Sequence, residues 1–216
     1  IVFFRKDIAR MRPGREPLEK DWYARLSGGA GAWYLYLLVA LTLVPLAIVY
    51  VLWKDDITAL RLEPYAVAGG FIYGGALMMV SDFLALRGKD RGVGLGPVDA
   101  LLIGLAQAVA LAPGVSRSGT TMATGRILGL SREAAFRFSF LMVIPALLGA
   151  LLMKARDIAA FENAGVLAAG GLTAFFSGLL ALALLRRILE RTGLTAFGVY
   201  CVLAGIVTIG IRTYGV

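Results

Sequence analysis

The sequence has no histidine among its 216 residues and a single cysteine. Without histidine, the commonest general base and the commonest zinc ligand are both gone. Cys201 stands alone inside an apolar run, so it forms no intrachain disulfide and reads as a small apolar residue. Charge is scarce too. Asp, Glu, Lys and Arg make up 17% of the chain, against about 25% in soluble domains, and several long runs carry none.

What fills those runs is apolar. The hydrophobic share is 59%, against about 45–50% in soluble proteins, and the mean hydropathy is +0.78. Long uncharged runs of this kind identify an all-α, polytopic integral membrane protein, read as one domain over residues 1–216. The net charge is +8. The basic residues lie mainly between apolar runs, where topology and membrane lipid headgroups account for them. No stacking or groove-reading motif is present, so nucleic acid is excluded as a partner.

The chain opens on "IVFF" followed by Arg5 and Lys6, without an initiator methionine. This reads as the tail of a span whose start is missing, and the expectation is a piece of a longer protein. Residues 5–28 are polar and basic. Spans are expected at about 32–53, 64–86, 133–153, 163–185 and 192–211, each long enough for a hydrocarbon core of ~30 Å. Pro45 is expected to kink the first. "KDDITALRLEP" is expected to be a polar loop. In the second span, Gly69–Gly70 and Gly74–Gly75 are small enough for close helix contact, and Asp82 is expected at the polar boundary. Ser131 is a candidate N-cap, with Glu133 suiting the positive end of the helix that follows.

Residues 97–130 fit no span. The part before Pro113 and Gly114 is too short to cross, and a second short helix is expected from about Gly119 to Leu130. Two half-length helices meeting at a break describe a re-entrant hairpin, tolerated at membrane depth only where it is buried in protein or lines a wet cavity. Loop charge favours that reading. If the hairpin enters and leaves on one side, loops 5–28, 87–96, 126–137 and 186–191 share a side with sixteen Lys and Arg against five. A full crossing gives thirteen against eight. The positive-inside bias therefore selects the hairpin, with the basic loops cytoplasmic.

The break reads "ALAPGVSRSGTT", residues 110–121. Ser116, Ser118, Thr120 and Thr121 offer hydroxyls, and Gly119 lets backbone approach a ligand. The start of the second short helix supplies free N–H groups and a positive dipole end, which suit an anion. Arg117 adds a full charge and a fork that matches phosphate oxygens. An arginine at this depth needs a partner: either a phosphate-bearing ligand, or a carboxylate such as Asp82 or Asp99. Gln107 faces either the same cavity or an interhelical hydrogen bond. Arg126 and Arg132 read as loop charges, and "FRFSF" around Ser139 as packing.

The motif "PGVSRSGTT" closely resembles a signature of the bacterial undecaprenyl-pyrophosphate phosphatases, P-G-x-S-R-S-G-x-T, through Pro113, Gly114, Ser116, Arg117, Ser118, Gly119 and Thr121. "GLAQAVALAPG" before it and "GLSREAAFRFSFLMVIPALLGA" after it agree, and the resemblance runs from "IVFFRKD" to the C-terminus. It implies a multi-pass enzyme of the bacterial cytoplasmic (inner) membrane that hydrolyses undecaprenyl pyrophosphate to the monophosphate and inorganic phosphate. That reaction recycles the cell-wall lipid carrier and bears on bacitracin resistance. It also implies two inverted repeats, each with a re-entrant hairpin, and a pocket opening to the outer face. On this likeness Arg117, Ser116 and Ser118 are catalytic. Gly114, Gly119, Thr121 and Gln107 bind substrate. A homodimer is compatible with the reading.

The sequence departs from the family in one respect. The earlier family motif, with paired glutamates, a serine-rich turn and a histidine, is absent from these 216 residues. The chain is therefore expected to hold half a site and, by itself, to be inactive. No cofactor or metal site is read in it, though a divalent cation, Mg or Ca, suits a pyrophosphate substrate in the complete protein. Two rival readings use the same anion site: a polyprenyl-phosphate flippase and a non-catalytic lipid-phosphate binder.

Overall fold

The computed structural model describes residues 26–27, 30–87, 94–155, 158 and 163–214. The opening "IVFF" and the basic stretch up to Arg25 lie outside the described residues. The described chain is all helical. Its seven helices are α1 (Ala32–Leu60), α2 (Pro64–Arg87), α3 (Pro97–Val109), α4 (Arg117–Ile127), α5 (Arg132–Met153), α6 (Ala164–Thr192) and α7 (Thr195–Tyr214). Five of them, all but α3 and α4, are long and apolar enough to cross a membrane. The chain is a polytopic membrane protein.

Two boundaries differ from the sequence expectation. The interruption in α1 falls at Trp53 (φ −125°, ψ 16°), while Pro45 sits inside regular helix. Beyond Trp53 the supposed polar loop stays helical to Leu60, and the Thr58 hydroxyl donates to Lys54 O at 2.7 Å. Helix α6 likewise runs past the apolar stretch to Thr192. There Arg186 and Glu190 pair one turn apart at 2.8 Å, and Arg191 complements the negative helix end. In both places charged residues extend a helix out of its apolar segment instead of ending it. The N-cap at Ser131 forms, accepting from Ala134 N at 3.2 Å. Glu133 turns to Arg137, whose Nη2 approaches to 2.7 Å.

The short helices α3 and α4 have 13 and 11 residues, about 20 and 17 Å at 1.5 Å per residue. They pack on one another, and each has a wall behind it: α1 behind α3, and α2 and α5 behind α4. Helix α2 also carries α7 on its other side. Its glycines divide between these neighbours. A Cβ on Gly70 would overlap Pro113 O of the break, and one on Gly74 would meet Ser116 N at 3.5 Å. One on Gly75 would stand 2.6 Å from Gly198 O of α7. Gly69, the fourth, faces open space.

Asp82 is not a boundary residue. It is buried, and its Oδ2 accepts from Leu194 N (2.6 Å), Thr195 N (3.0 Å) and the Thr195 hydroxyl (3.1 Å). It caps α7 from α2, a carboxylate on the positive end of a helix.

Candidate functional site

The break between α3 and α4 is built by backbone. α3 closes at Val109, and turns through Ala112 lead to Gly114, which has φ +80°. Only glycine adopts that conformation without strain. A Cβ on Gly114 would also overlap Val67 O of α2. Gly114 is thus required by its turn and by the helix behind it. Gly119, expected to let backbone approach a ligand, lies against a side chain instead of backbone: a Cβ there would stand 2.6 Å from the flexible end of Met78 on α2.

Helix α4 starts two residues earlier than expected, because Ser116 is its N-cap. The Ser116 hydroxyl accepts from Gly119 N at 3.2 Å, and its carbonyl from Thr120 N at 2.8 Å. Arg117 and Ser118 therefore occupy the first two helical positions. Their N–H groups precede the helical ladder, and no partner is recorded for either N–H among the described residues. Both side chains are half-buried, and neither forms a hydrogen bond or ion pair among the described residues.

The two carboxylates named as candidate partners of Arg117 each have an oxygen engaged elsewhere. Asp82 caps α7, and Asp99 Oδ2 accepts from Gly96 N at the start of α3, at 2.9 Å. A guanidinium, a hydroxyl and two N–H groups, all without partners among the described residues, share the first turn of α4 at a positive helix end, a set of donors suited to an anion.

The remaining motif residues lie deeper. Thr121 is buried, and its hydroxyl contacts Ser139 Oγ of α5 at 2.6 Å, Arg117 O at 3.0 Å and Ser118 O at 3.2 Å. Thr120 is fully buried, and its hydroxyl has no partner. Gln107 sits in the last full turn of α3 with no exposed surface, and neither amide atom is hydrogen-bonded. The interhelical hydrogen bond allowed by the sequence is not made among the described residues. Arg126 lies in the last turn of α4, where its Nη1 donates to Leu130 O at 2.6 Å. Arg132 opens α5 and comes close to the α7 cap: a Cβ on Gly193 would overlap Asp82 Oδ2 and lie 3.0 Å from Arg132 Nη2.

Sequence reasoning missed the polar part played by Ser139. Its one signal was a lone hydroxyl in an otherwise apolar stretch, "FSFLMVIPALLGALLM".

A family model described as "Bacitracin resistance protein BacA" matches residues 1–207. The chain belongs to the BacA family. Three similar proteins share one name. An undecaprenyl-diphosphatase of Thermosipho africanus is 34% identical over 207 residues, 96% of this chain and 77% of that protein. An undecaprenyl-diphosphatase of Syntrophotalea carbinolica is 38% identical over 212 residues, 95% of this chain and 76% of that protein. One of Rubrobacter xylanophilus is 36% identical over 212 residues, covering 93% and 74%.

No group of three acidic or cysteine side chains that could hold a metal ion occurs among the described residues. Asp82 and Asp99 cap helices, while Glu133 and Glu190 pair with arginines one turn away. These described residues do not fit a divalent cation.

Proposed function

We propose that this BacA-family chain supplies the phosphate-holding part of an undecaprenyl-diphosphatase. The enzyme hydrolyses undecaprenyl pyrophosphate to undecaprenyl phosphate and inorganic phosphate. The observation that carries this is the uncompensated Arg117 guanidinium at the first position of α4, beside the free Ser118 hydroxyl and the open N–H groups of that turn. Phosphoryl transfer depends mainly on positioning and charge stabilisation. A fixed arginine fork at a positive helix end meets both needs for a leaving or transferring phosphate. The 216 residues contain no histidine, so the group that activates the attacking water is another residue type or comes from outside them. The names of the relatives favour cleavage over the flippase reading.

The short lengths of α3 and α4, the polar tip between them and the loop charge asymmetry support a re-entrant hairpin with the basic loops cytoplasmic and the tip reached from the outer face. The membrane is then the bacterial cytoplasmic membrane, and the lipid substrate reaches the cradle from within it.

The test is phosphate release from a polyprenyl pyrophosphate by the complete protein purified in detergent, where no membrane separates two compartments. Release that depends on Arg117 is expected; none, with lipid translocation in vesicles instead, would establish the flippase. For topology, cysteines at Lys54 and Lys154 are expected to react with an impermeant reagent from the same side, and labelling from opposite sides overturns the hairpin.

A further inference from the structure

The hydroxyl of Thr121 has one proton and three close oxygen neighbours. Two of them, Arg117 O at 3.0 Å and Ser118 O at 3.2 Å, are carbonyls and can only accept. The third is Ser139 Oγ at 2.6 Å. If the Thr121 proton went to Ser139, the threonine oxygen would face two carbonyl oxygens with nothing between them. The arrangement closes when Thr121 donates to the carbonyls and Ser139 donates to Thr121. Every proton in the chain of three groups is then committed.

This bears on what Thr121 can do for a phosphate. A phosphate oxygen accepts hydrogen bonds, so its ligands must donate. Thr121 has no proton left to donate, and it is 3% exposed. Arg117 and Ser118, half-buried and without partners, have donors to offer. Thr121 holds the carbonyl of Arg117 instead, one turn along the helix. Ser139, 1% exposed on α5, in turn holds Thr121. Helix α5 therefore reaches the first turn of α4 through two hydroxyls.

We propose that Ser139 is a positioning residue. Through Thr121 it fixes the first turn of α4 on α5 and so sets where the Arg117 fork points. Thr121 belongs to this positioning chain and does not bind phosphate. The proposal deepens the reading of Arg117 as the phosphate ligand and rests on it. A fork that stabilises charge only in the transition state should, when misplaced, lower kcat and leave KM nearly unchanged.

The test is a double-mutant cycle on phosphate release by the complete purified protein, with Ser139→Ala, Thr121→Val and the double variant, plus Ser139→Thr as rescue. Thr121→Val is expected to lower kcat about 10- to 100-fold, the scale of a small misplacement of a reacting group. Ser139→Ala is expected to lower it several-fold, with KM within about twofold. The double variant should be no worse than Thr121→Val alone, because both changes cut one chain. Ser139→Thr should recover most of the loss. Should Ser139→Ala not fold, Ser139→Cys keeps the volume with a weaker donor and is expected to show the same kcat loss.

A wild-type kcat in Ser139→Ala, or losses that multiply in the double variant, overturns the proposal. If the wild-type protein releases no phosphate, the functional reading has failed. With no transition state to stabilise, Arg117 would act only as a ground-state anion ligand; the same variants should then bind inorganic pyrophosphate more weakly, and equal affinity across the set overturns the positioning role as well.

Discussion

Glycine is used in opposite ways on the two sides of this molecule. Around α2, five glycines are places where one backbone touches another, Gly70 and Gly114 at the break and Gly75, Gly198 and Gly205 between α2 and α7, while Gly69 and Gly210 face open space. On the far side, Gly149 of α5 and Gly170, Gly171 and Gly178 of α6 have nothing within contact distance of where a Cβ would stand. The packed side also holds the free arginine, the buried polar groups and the long-range cap. The open side holds apolar residues facing outward. Glycine content alone therefore says nothing about which helices are closely packed. The neighbour decides.

The comparison can be broken at several points. The largest effect is expected from Arg117→Ala, which removes a charge that has no partner among the described residues. Phosphate release should fall by at least about 10²–10³-fold, and Arg117→Lys should restore only part, since a point charge lacks the fork. Next comes Gly114→Ala. It adds backbone strain at φ +80° and a clash with Val67 O, each worth about 1–3 kcal/mol, to be read as a lower thermal unfolding midpoint in detergent together with lost activity. Asp82→Ala strips the α7 cap and leaves the buried Leu194 N–H without its acceptor, at a cost of about 1–3 kcal/mol, measured in the same way. The smallest effect belongs to the open side. Gly170→Ala or Gly171→Ala should leave activity unchanged and shift stability by no more than about 1 kcal/mol, upward if anything, because alanine is the better helix former. A large loss there would mean that α6 has a close neighbour after all.

Much of this was legible in sequence, and the limits have physical causes. Span number followed from apolar run length. The hairpin break followed from Pro113 and Gly114, and the α5 cap from Ser131. The charged ends of α1 and α6 were read as loops because apolar periodicity stops there, whereas helical hydrogen bonding does not. The part of Asp82 was illegible because its acceptor oxygen meets donors 112 and 113 positions away. The same holds for Ser139, 18 positions from Thr121. The motif glycines were legible as small residues, but their reason lies on α2, which no local pattern names.

The seat of the hairpin tip on α2 is made of peptide groups and hydrogen atoms, with Gly70 and Gly114 contributing no rotamers. Closing such a seat freezes no side-chain torsions, so its ordering entropy was spent when the backbone folded. An incoming anion then meets a surface that is already stiff. Little of its binding free energy goes into organising the tip, and more is left to discriminate between ligands.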